Sequence, residues 1–395
     1  MNIERVVVVG AGLAGLRTIE GLRLHDYAGE ITLIGAEDRP PYDRPPLSKK
    51  VLTGELDDTA LKADFTGLKV DFRGGESAVE LDPDGLVRTS RTEYRFDRLV
   101  LATGAAPFAL PGPGPQRLLR TIGDALELRA ALRPGVKLVV AGAGWIGAEL
   151  ATAAAKLGCQ VTVLDAAATP LAVALGTEVG AVTAGWYAAA GVELLLGQAV
   201  ASVQEGGIEL AGGGWLDADE IVTAVGVRPC VGWLDPAVIR LESGVAADEG
   251  LRSSLPNVYA VGDCASFLSR RYGRRLRFEH WDVALHAPEV AAANVLGGSE
   301  VYDPVPYFWS EQFGRMVQYI GYHGGAGRLI WRGDPAADAW SVCWLDGERL
   351  SAVLAVDRPR DLIQGRRLIT ANAPVDPAKL ADPTIPLRDT ALPLP

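Results

Sequence analysis

Two strand–glycine-loop–helix segments, about 130 residues apart, constrain this chain more than any other feature. The first is VVVVGAGLAG, residues 6–15, and the second is LVVAGAGWIG, residues 138–147. Each sets an apolar strand directly before Gly-x-Gly-x-x-Gly and a helix of small residues after it. Gly10 and Gly142 permit the tight turn, and Gly12 and Gly144 let backbone approach a pyrophosphate. Gly15 and Gly147 bring the helix close to its strand, with its positive N-terminus aimed at the phosphates. One such motif is weak evidence. Two in full context imply two dinucleotides on one polypeptide, and two adjacent dinucleotides usually exchange electrons.

Around each loop a βαβ unit reads clearly. The first runs VVVVG, a helix to about Leu24, then ITLIG; Glu37, some 20 residues past Gly15, suits an adenosine ribose. DRLVLATG, 97–104, adds an apolar strand, and PFALPGPGP, 107–115, reads as a linker. The pattern then restarts with KLVVAGAG, a helix to about Leu157 and QVTVLD. EIVTAVG, 220–226, answers LVLATG, which makes a weak internal repeat of a whole module. NVYAVGDCA, 257–265, is a further strand, and from about 305 aromatic strands such as MVQYIGY and AWSVCWL indicate a small α+β domain with a Pro-rich tail. PPYDRPPLSKK, 40–50, carries four prolines and cannot be a regular helix or central strand; Arg44 is expected in an extended loop held by Pro45 and Pro46.

Composition narrows the class. The chain has 395 residues, 48% apolar and 22% charged, as expected for two or three soluble domains. Its first strand follows Met1 almost at once, and no apolar run reaches spanning length, so a cytoplasmic location is expected. A net charge of −11 disfavours nucleic acid and anionic membrane as partners. Two basic runs stand out: Arg270, Arg271, Arg274, Arg275 and Arg277, then Arg358, Arg360, Arg366 and Arg367. Either is a solvated loop or a face for an acidic partner. Cys159, Cys230, Cys264 and Cys343 are scattered, which argues against a dithiol centre and against any metal or cluster ligand set.

Over nearly its full length the chain resembles flavoprotein ferredoxin reductases of the putidaredoxin reductase type, relatives of glutathione reductase. The resemblance rests on GAGLAG (10–15), PYDRPPLSK (41–49), GAGWIGAE (142–149) and VYAVGDCA (258–265), supported by EHW (279–281) and YFWSEQFG (307–314). It implies an α/β fold with two Rossmann-like dinucleotide-binding domains, for FAD and NADH, plus a small C-terminal α+β interface domain. The expected boundaries are 1–108 and 241–305 for FAD, 109–240 for NADH and 306–395 for the interface domain. The implied reaction carries electrons from NADH through FAD to a small, acidic ferredoxin that serves a haem monooxygenase or ring dioxygenase. Rubredoxin or monodehydroascorbate reduction, or a low-turnover NADH-sensing role, are the alternatives.

Site residues follow from the same resemblance. For FAD they are Gly10, Gly12, Leu13, Ala14, Gly15, Glu37, Arg44, Lys49, Ala78, Ala102, Thr103, Gly104, Arg120, Asp263, Glu279, His280, Trp281 and Trp309. Asp263 is expected to accept ribityl hydroxyls, Arg44 to meet phosphate, and Trp281 and Trp309 to border the isoalloxazine. For NADH they are Gly142, Gly144, Trp145, Ile146, Gly147, Glu149, Asp165, Val225 and Gly226. Lys49, implied near flavin N5, and its partner Glu149 form the expected catalytic pair. Asp165, about 20 residues past Gly147, should accept the ribose 2′-hydroxyl and repel a 2′-phosphate; 166–176 holds no Lys or Arg to rescue one. PYDRPPLSK has no cysteine where disulfide reductases and NADH oxidases of this fold need one, so chemistry at protein sulfur is not expected.

Overall fold

A computed structural model describes residues 3–324 and 327–393, which fall into two compact units. The first comprises the chain up to Asp43, Thr59–Ala106 and Val227–Pro304; the second comprises Arg44–Asp58, Pro107–Gly226 and the chain from Val305 onward.

The first unit is built on a five-stranded parallel sheet ordered Val258–Ala260, Arg98–Leu101, Arg5–Val9, Glu30–Gly35, Val70–Gly74. Its central strand reads RVVVV with Val6 to Val9 all buried. That pattern is expected of a strand covered on both faces, where alternation gives way to a continuous apolar run. The Leu13–Leu24 helix follows it, so the first glycine loop lies at the carboxyl end of the sheet.

The second unit repeats the design with four parallel strands, Glu193–Leu196, Gln160–Asp165, Lys137–Ala141 and Glu220–Thr223. The Trp145–Lys156 helix follows its own glycine loop. Arg44–Asp58 belongs here because it is apolar on one side: Leu47, Val51 and Leu52 are buried, and Leu52 joins Leu138, Val140, Ala151 and Tyr187 in one cluster. The unit closes with a five-stranded antiparallel sheet ordered Tyr307–Gln312, Arg315–Gly321, Arg349–Val356, Trp340–Asp346, Arg328–Arg332. The amphipathic Pro359–Ala371 helix buries Leu362, Leu368 and Ile369.

Two sequence expectations change in detail. Arg44 is not in an extended loop: at φ −87°, ψ −30° it enters a 3₁₀ turn, Pro45–Ser48. Prolines in the first turn of a helix lose no hydrogen bond, since those N–H groups have no intrahelical partner. Residues 107–115 are no free linker either. Gly114 N donates to Val203 O at 2.9 Å and Val203 N to Pro111 O at 2.7 Å, and a Cβ on Gly112 would lie 2.1 Å from Val203 O. Glycine is there for a backbone crossing. A buried cation holds part of the Pro-rich tail, Leu380 to Ile385. Arg332, 1% exposed, ion-pairs with Asp361 at 3.1 Å and donates to the carbonyls of Leu380, Asp382 and Ile385.

No helix among the described residues is long and apolar enough to cross a membrane.

Candidate functional site: two glycine cradles and a buried ion pair

The glycine loops match atom for atom in their constraints. Gly10 N donates to Ile34 O at 2.8 Å and Gly142 N to Leu164 O at 2.7 Å, with φ +118° and +109°. A Cβ on Gly10 would sit 2.1 Å from Ala102 O, and one on Gly142 would sit 2.4 Å from Ala224 O. Gly15 and Gly147 would drive theirs to 2.0 and 1.8 Å from the carbonyl oxygens of Gly10 and Gly142. The middle glycines differ from all of these. A Cβ on Gly12 or Gly144 would meet nothing within 4 Å, and neither helix start carries a side-chain cap. Each loop is therefore crowded by protein at its first and third glycine and open at its second, where the uncapped first turn presents backbone N–H groups. That cradle fits a pyrophosphate.

Other residues expected at FAD belong to the first unit, whereas Arg44, Lys49, Arg120 and Trp309 belong to the second. Leu13 and Ala14 are buried in the first helical turn. Glu37 accepts from Tyr42 Oη at 2.8 Å. Ala102 N donates to Val9 O, while Thr103 Oγ1 donates to Cys230 O at 2.8 Å and Gly104, at φ +70°, accepts from Cys230 N. Ala78 opens the Ala78–Asp82 strand. Asp263 lies in a 3₁₀ turn, Gly262–Cys264, directly after the Val258–Ala260 strand. His280 caps the helix that Trp281 begins, and Trp281 Nε1 donates to Asp43 Oδ1 at 2.6 Å. Burial pushes the His280 imidazole down to about 4, while desolvation raises the Glu279 carboxyl above its ordinary value despite Arg277.

In the second unit Glu149 is the centre. Its side chain is 3% exposed and accepts from Lys49 Nζ at 2.7 Å, Ser310 Oγ at 2.6 Å and Ser48 Oγ at 2.5 Å. Lys49 also donates to Pro45 O at 3.2 Å. Lys49, half-buried, is thus paired with a buried carboxylate, and two serines within the motifs, which carry no signature in sequence, complete its shell. Asp165 closes the Gln160–Asp165 strand, its oxygens accepting from Ala143 N at 2.7 Å and Ala167 N at 2.8 Å. Both oxygens keep a free lone pair. Trp145 packs on Phe308 with centroids 4.7 Å apart, and Ile146 and Val225, apolar and each 44% exposed, flank the loop ends. Gly226, at φ +109°, accepts from Phe108 N. Arg44 donates to Arg120 O, so these two residues expected at FAD are linked to one another. Trp309 stacks on Tyr307 at 5.9 Å.

The basic runs are less bare than their sequence. Arg270 pairs with Glu249, Arg275 with Glu242 and Arg277 with Glu279. In the second run Arg358 pairs with Asp361, whereas Arg360, Arg366 and Arg367 are exposed on the Pro359–Ala371 helix.

Comparison with known proteins places this geometry. Residues 4–287 match the family model described as pyridine nucleotide-disulphide oxidoreductase. The chain belongs to that family. Residues 307–391 match a second model, described as reductase C-terminal. Among family relatives, the chain is 37% identical to the ferredoxin–NAD(+) reductase component of the anthranilate 1,2-dioxygenase system of Burkholderia cepacia, over 98% of this chain and 99% of that protein. It is 32% identical to putidaredoxin reductase of Pseudomonas putida, over 98% and 96%. Among solved structures it matches Fdr9 with a TM-score of 0.94 and 46% identity over 99% of this chain and 100% of that one. The covalent putidaredoxin reductase–putidaredoxin complex matches with a TM-score of 0.94 and 32% identity, covering 98% of both chains.

Proposed function

We propose that this family member is an FAD-dependent NADH:ferredoxin oxidoreductase, acting in the cytoplasm and supplying a haem monooxygenase or ring dioxygenase through a small acidic ferredoxin. The observation that carries the reading is the duplicated open cradle at Gly12 and Gly144. The first unit holds FAD, with Gly10 to Gly15 at the pyrophosphate, Glu37 at the adenosine ribose and Asp263 at the ribityl chain. The second unit holds NADH, with Gly142 to Gly147 at the pyrophosphate and Asp165 at the ribose. FAD held there would supply the chemistry that passes the two electrons of an NADH hydride singly to an iron–sulfur acceptor. Lys49, paired with Glu149, keeps a cation at the reacting end of the nicotinamide. In functional terms the FAD domain is 1–108 with 241–305, the NADH domain 109–240 and the interface domain 306–395. The rubredoxin, monodehydroascorbate and sensing alternatives are not favoured by relatives named as ferredoxin reductases.

Purified protein should be yellow and should reduce ferricyanide with NADH, and a small ferredoxin more specifically. Asp263→Ala should weaken flavin retention by about 1–3 kcal/mol, through loss of an acceptor for the ribityl hydroxyls. Wild-type protein that neither contains flavin nor takes up added FAD would overturn the reading.

A further inference from the structure

The Tyr307–Gln312 strand tracks the Trp145–Lys156 helix in a fixed register. Phe308 packs on Trp145, Ser310 donates to Glu149, and past the strand's end Phe313 N donates to Thr152 Oγ1 at 3.0 Å. Two residues of strand advance about 6.6 Å and four of helix about 6 Å, so one strand face can follow one helix stripe. This register places Ser310, which is fully buried, on Glu149 Oε1, and Gln312 Nε2 in turn donates to Ser310 Oγ at 3.1 Å. The opposite oxygen, Oε2, receives both Lys49 and Ser48.

We infer that Ser310 is a positioning residue for hydride transfer, acting through Glu149 on Lys49. This rests on the reductase reading given above. A carboxylate this buried cannot draw on bulk water, so each oxygen depends on protein donors. With Ser310 on Oε1, the group is held by both ends and Oε2 faces Lys49 in one orientation. Without Ser310, Oε1 loses the donor shown for it. The carboxylate then gains by rotating to share its oxygens between Ser48 and Lys49, and the ammonium moves with it. Lys49 has three N–H donors, and Glu149 and Pro45 take two of them; the third is the one a bound ligand can use, and its direction is what Ser310 sets. The C-terminal sheet thus contributes to the second nucleotide site through a side chain that need not touch either dinucleotide.

The test uses the flavin-containing protein with Ser310→Ala and the near-isosteric Ser310→Cys, whose thiol is a weak donor; the cysteine variant keeps the core filled should alanine fail to fold. Rapid-mixing flavin reduction at saturating NADH should slow about tenfold or more, as loss of a hydrogen bond to a charged group implies, while NADH affinity changes far less. In a Glu149→Gln background the same replacement should cost less than about twofold, because its route is gone. An activity-independent reading comes from amine-reactive labelling: the ratio of Lys49 to exposed Lys50 modification, by peptide mass spectrometry, should rise several-fold in both variants. Unchanged labelling, an unchanged reduction rate, or an equal loss in the Glu149→Gln background would each overturn the inference. Wild-type protein whose flavin NADH does not reduce would instead overturn the reductase reading, while the labelling ratio still reports whether Ser310 holds Lys49.

Discussion

Asp165 does two jobs with one carboxylate. It anchors the glycine loop through Ala143 N and the following segment through Ala167 N, and on the proposed reading its remaining lone pairs serve the ribose of NADH. A 2′-phosphate brought there meets a fixed negative charge with no Lys or Arg between residues 166 and 176 to offset it. NADH should therefore be preferred over NADPH by at least about tenfold, or ~1.4 kcal/mol, in kcat/KM. Asp165→Asn should narrow that preference while keeping an acceptor for one backbone bond, and equal specificity constants for the wild type would refute it. His280 gives a second expectation at this scale. Its folded-state value of about 4 lies below the ordinary 6.5, because burial disfavours the imidazolium, and its place at a helix N-terminus acts in the same sense. The unfolded chain therefore binds the proton more readily. The stabilisation is fully present above pH 6.5 and is lost as pH falls through the folded value. Thermal midpoints should drop over that window in wild type, and less steeply in His280→Gln.

At the scale of the element, the two glycine loops separate folding from binding within six residues. Gly147→Ala puts a Cβ 1.8 Å from Gly142 O, a backbone atom that cannot yield without moving the helix off its strand. That variant should lose several kcal/mol of stability, at the upper end for single substitutions. Gly144→Val projects into open space and should leave the melting temperature within a few degrees of wild type. Its NADH affinity should nevertheless fall at least about tenfold, since the branched side chain occupies the pyrophosphate's approach. Calorimetry and NADH titration on the pair decide this; a Gly144→Val protein that binds NADH normally would show the cradle is not the phosphate site. The same logic explains the Arg44–Asp58 segment. Its prolines start a turn, and its leucines anchor that turn, so Ser48 and Lys49 arrive at Glu149 from a packed element.

Charge is a property of the whole molecule. At a net −11, attraction of an acidic ferredoxin requires a local excess of cations. The 270–277 run is largely neutralised by Glu249, Glu242 and Glu279, whereas the Pro359–Ala371 helix exposes Arg360, Arg366 and Arg367 together. Steering acts mainly on association rate and is screened over about 8–10 Å at physiological salt. Raising salt should therefore slow ferredoxin reduction and leave ferricyanide reduction nearly unchanged. Reversing Arg360, Arg366 and Arg367 to glutamate should raise the ferredoxin KM several-fold, with the same treatment of Arg271 and Arg274 having the smaller effect. A ferredoxin rate indifferent to both salt and these reversals would place docking elsewhere.

Periodicity and local sterics make much of this protein legible in its sequence. The runs VVVVG and LVVAG are buried strands because no solvated strand can be apolar on both faces, and between such a strand and a small-residue helix each Gly-x-Gly-x-x-Gly reads as a tight turn into a close-packed helix. Both βαβ units and the LATG and TAVG echo were within reach for that reason, whereas the Lys49–Glu149 pair was implied only by the family resemblance that PYDRPPLSK and GAGWIGAE carry. What the motifs could not convey was which groups lie across space. Ser48 and Ser310 were in view inside PYDRPPLSK and FWSEQ, but a serine has no periodic or charge signature. Only tertiary packing, of the Pro45–Ser48 turn and of the Tyr307–Gln312 strand on one helix, puts both hydroxyls on one carboxylate from positions 262 residues apart in sequence (310 − 48). The arginine runs show the same limit from the other side, since counting charges along the chain cannot reveal the glutamates that fold against them. Local chemistry is written in neighbours along the sequence; the satisfaction of buried polar groups depends on neighbours that only tertiary structure supplies.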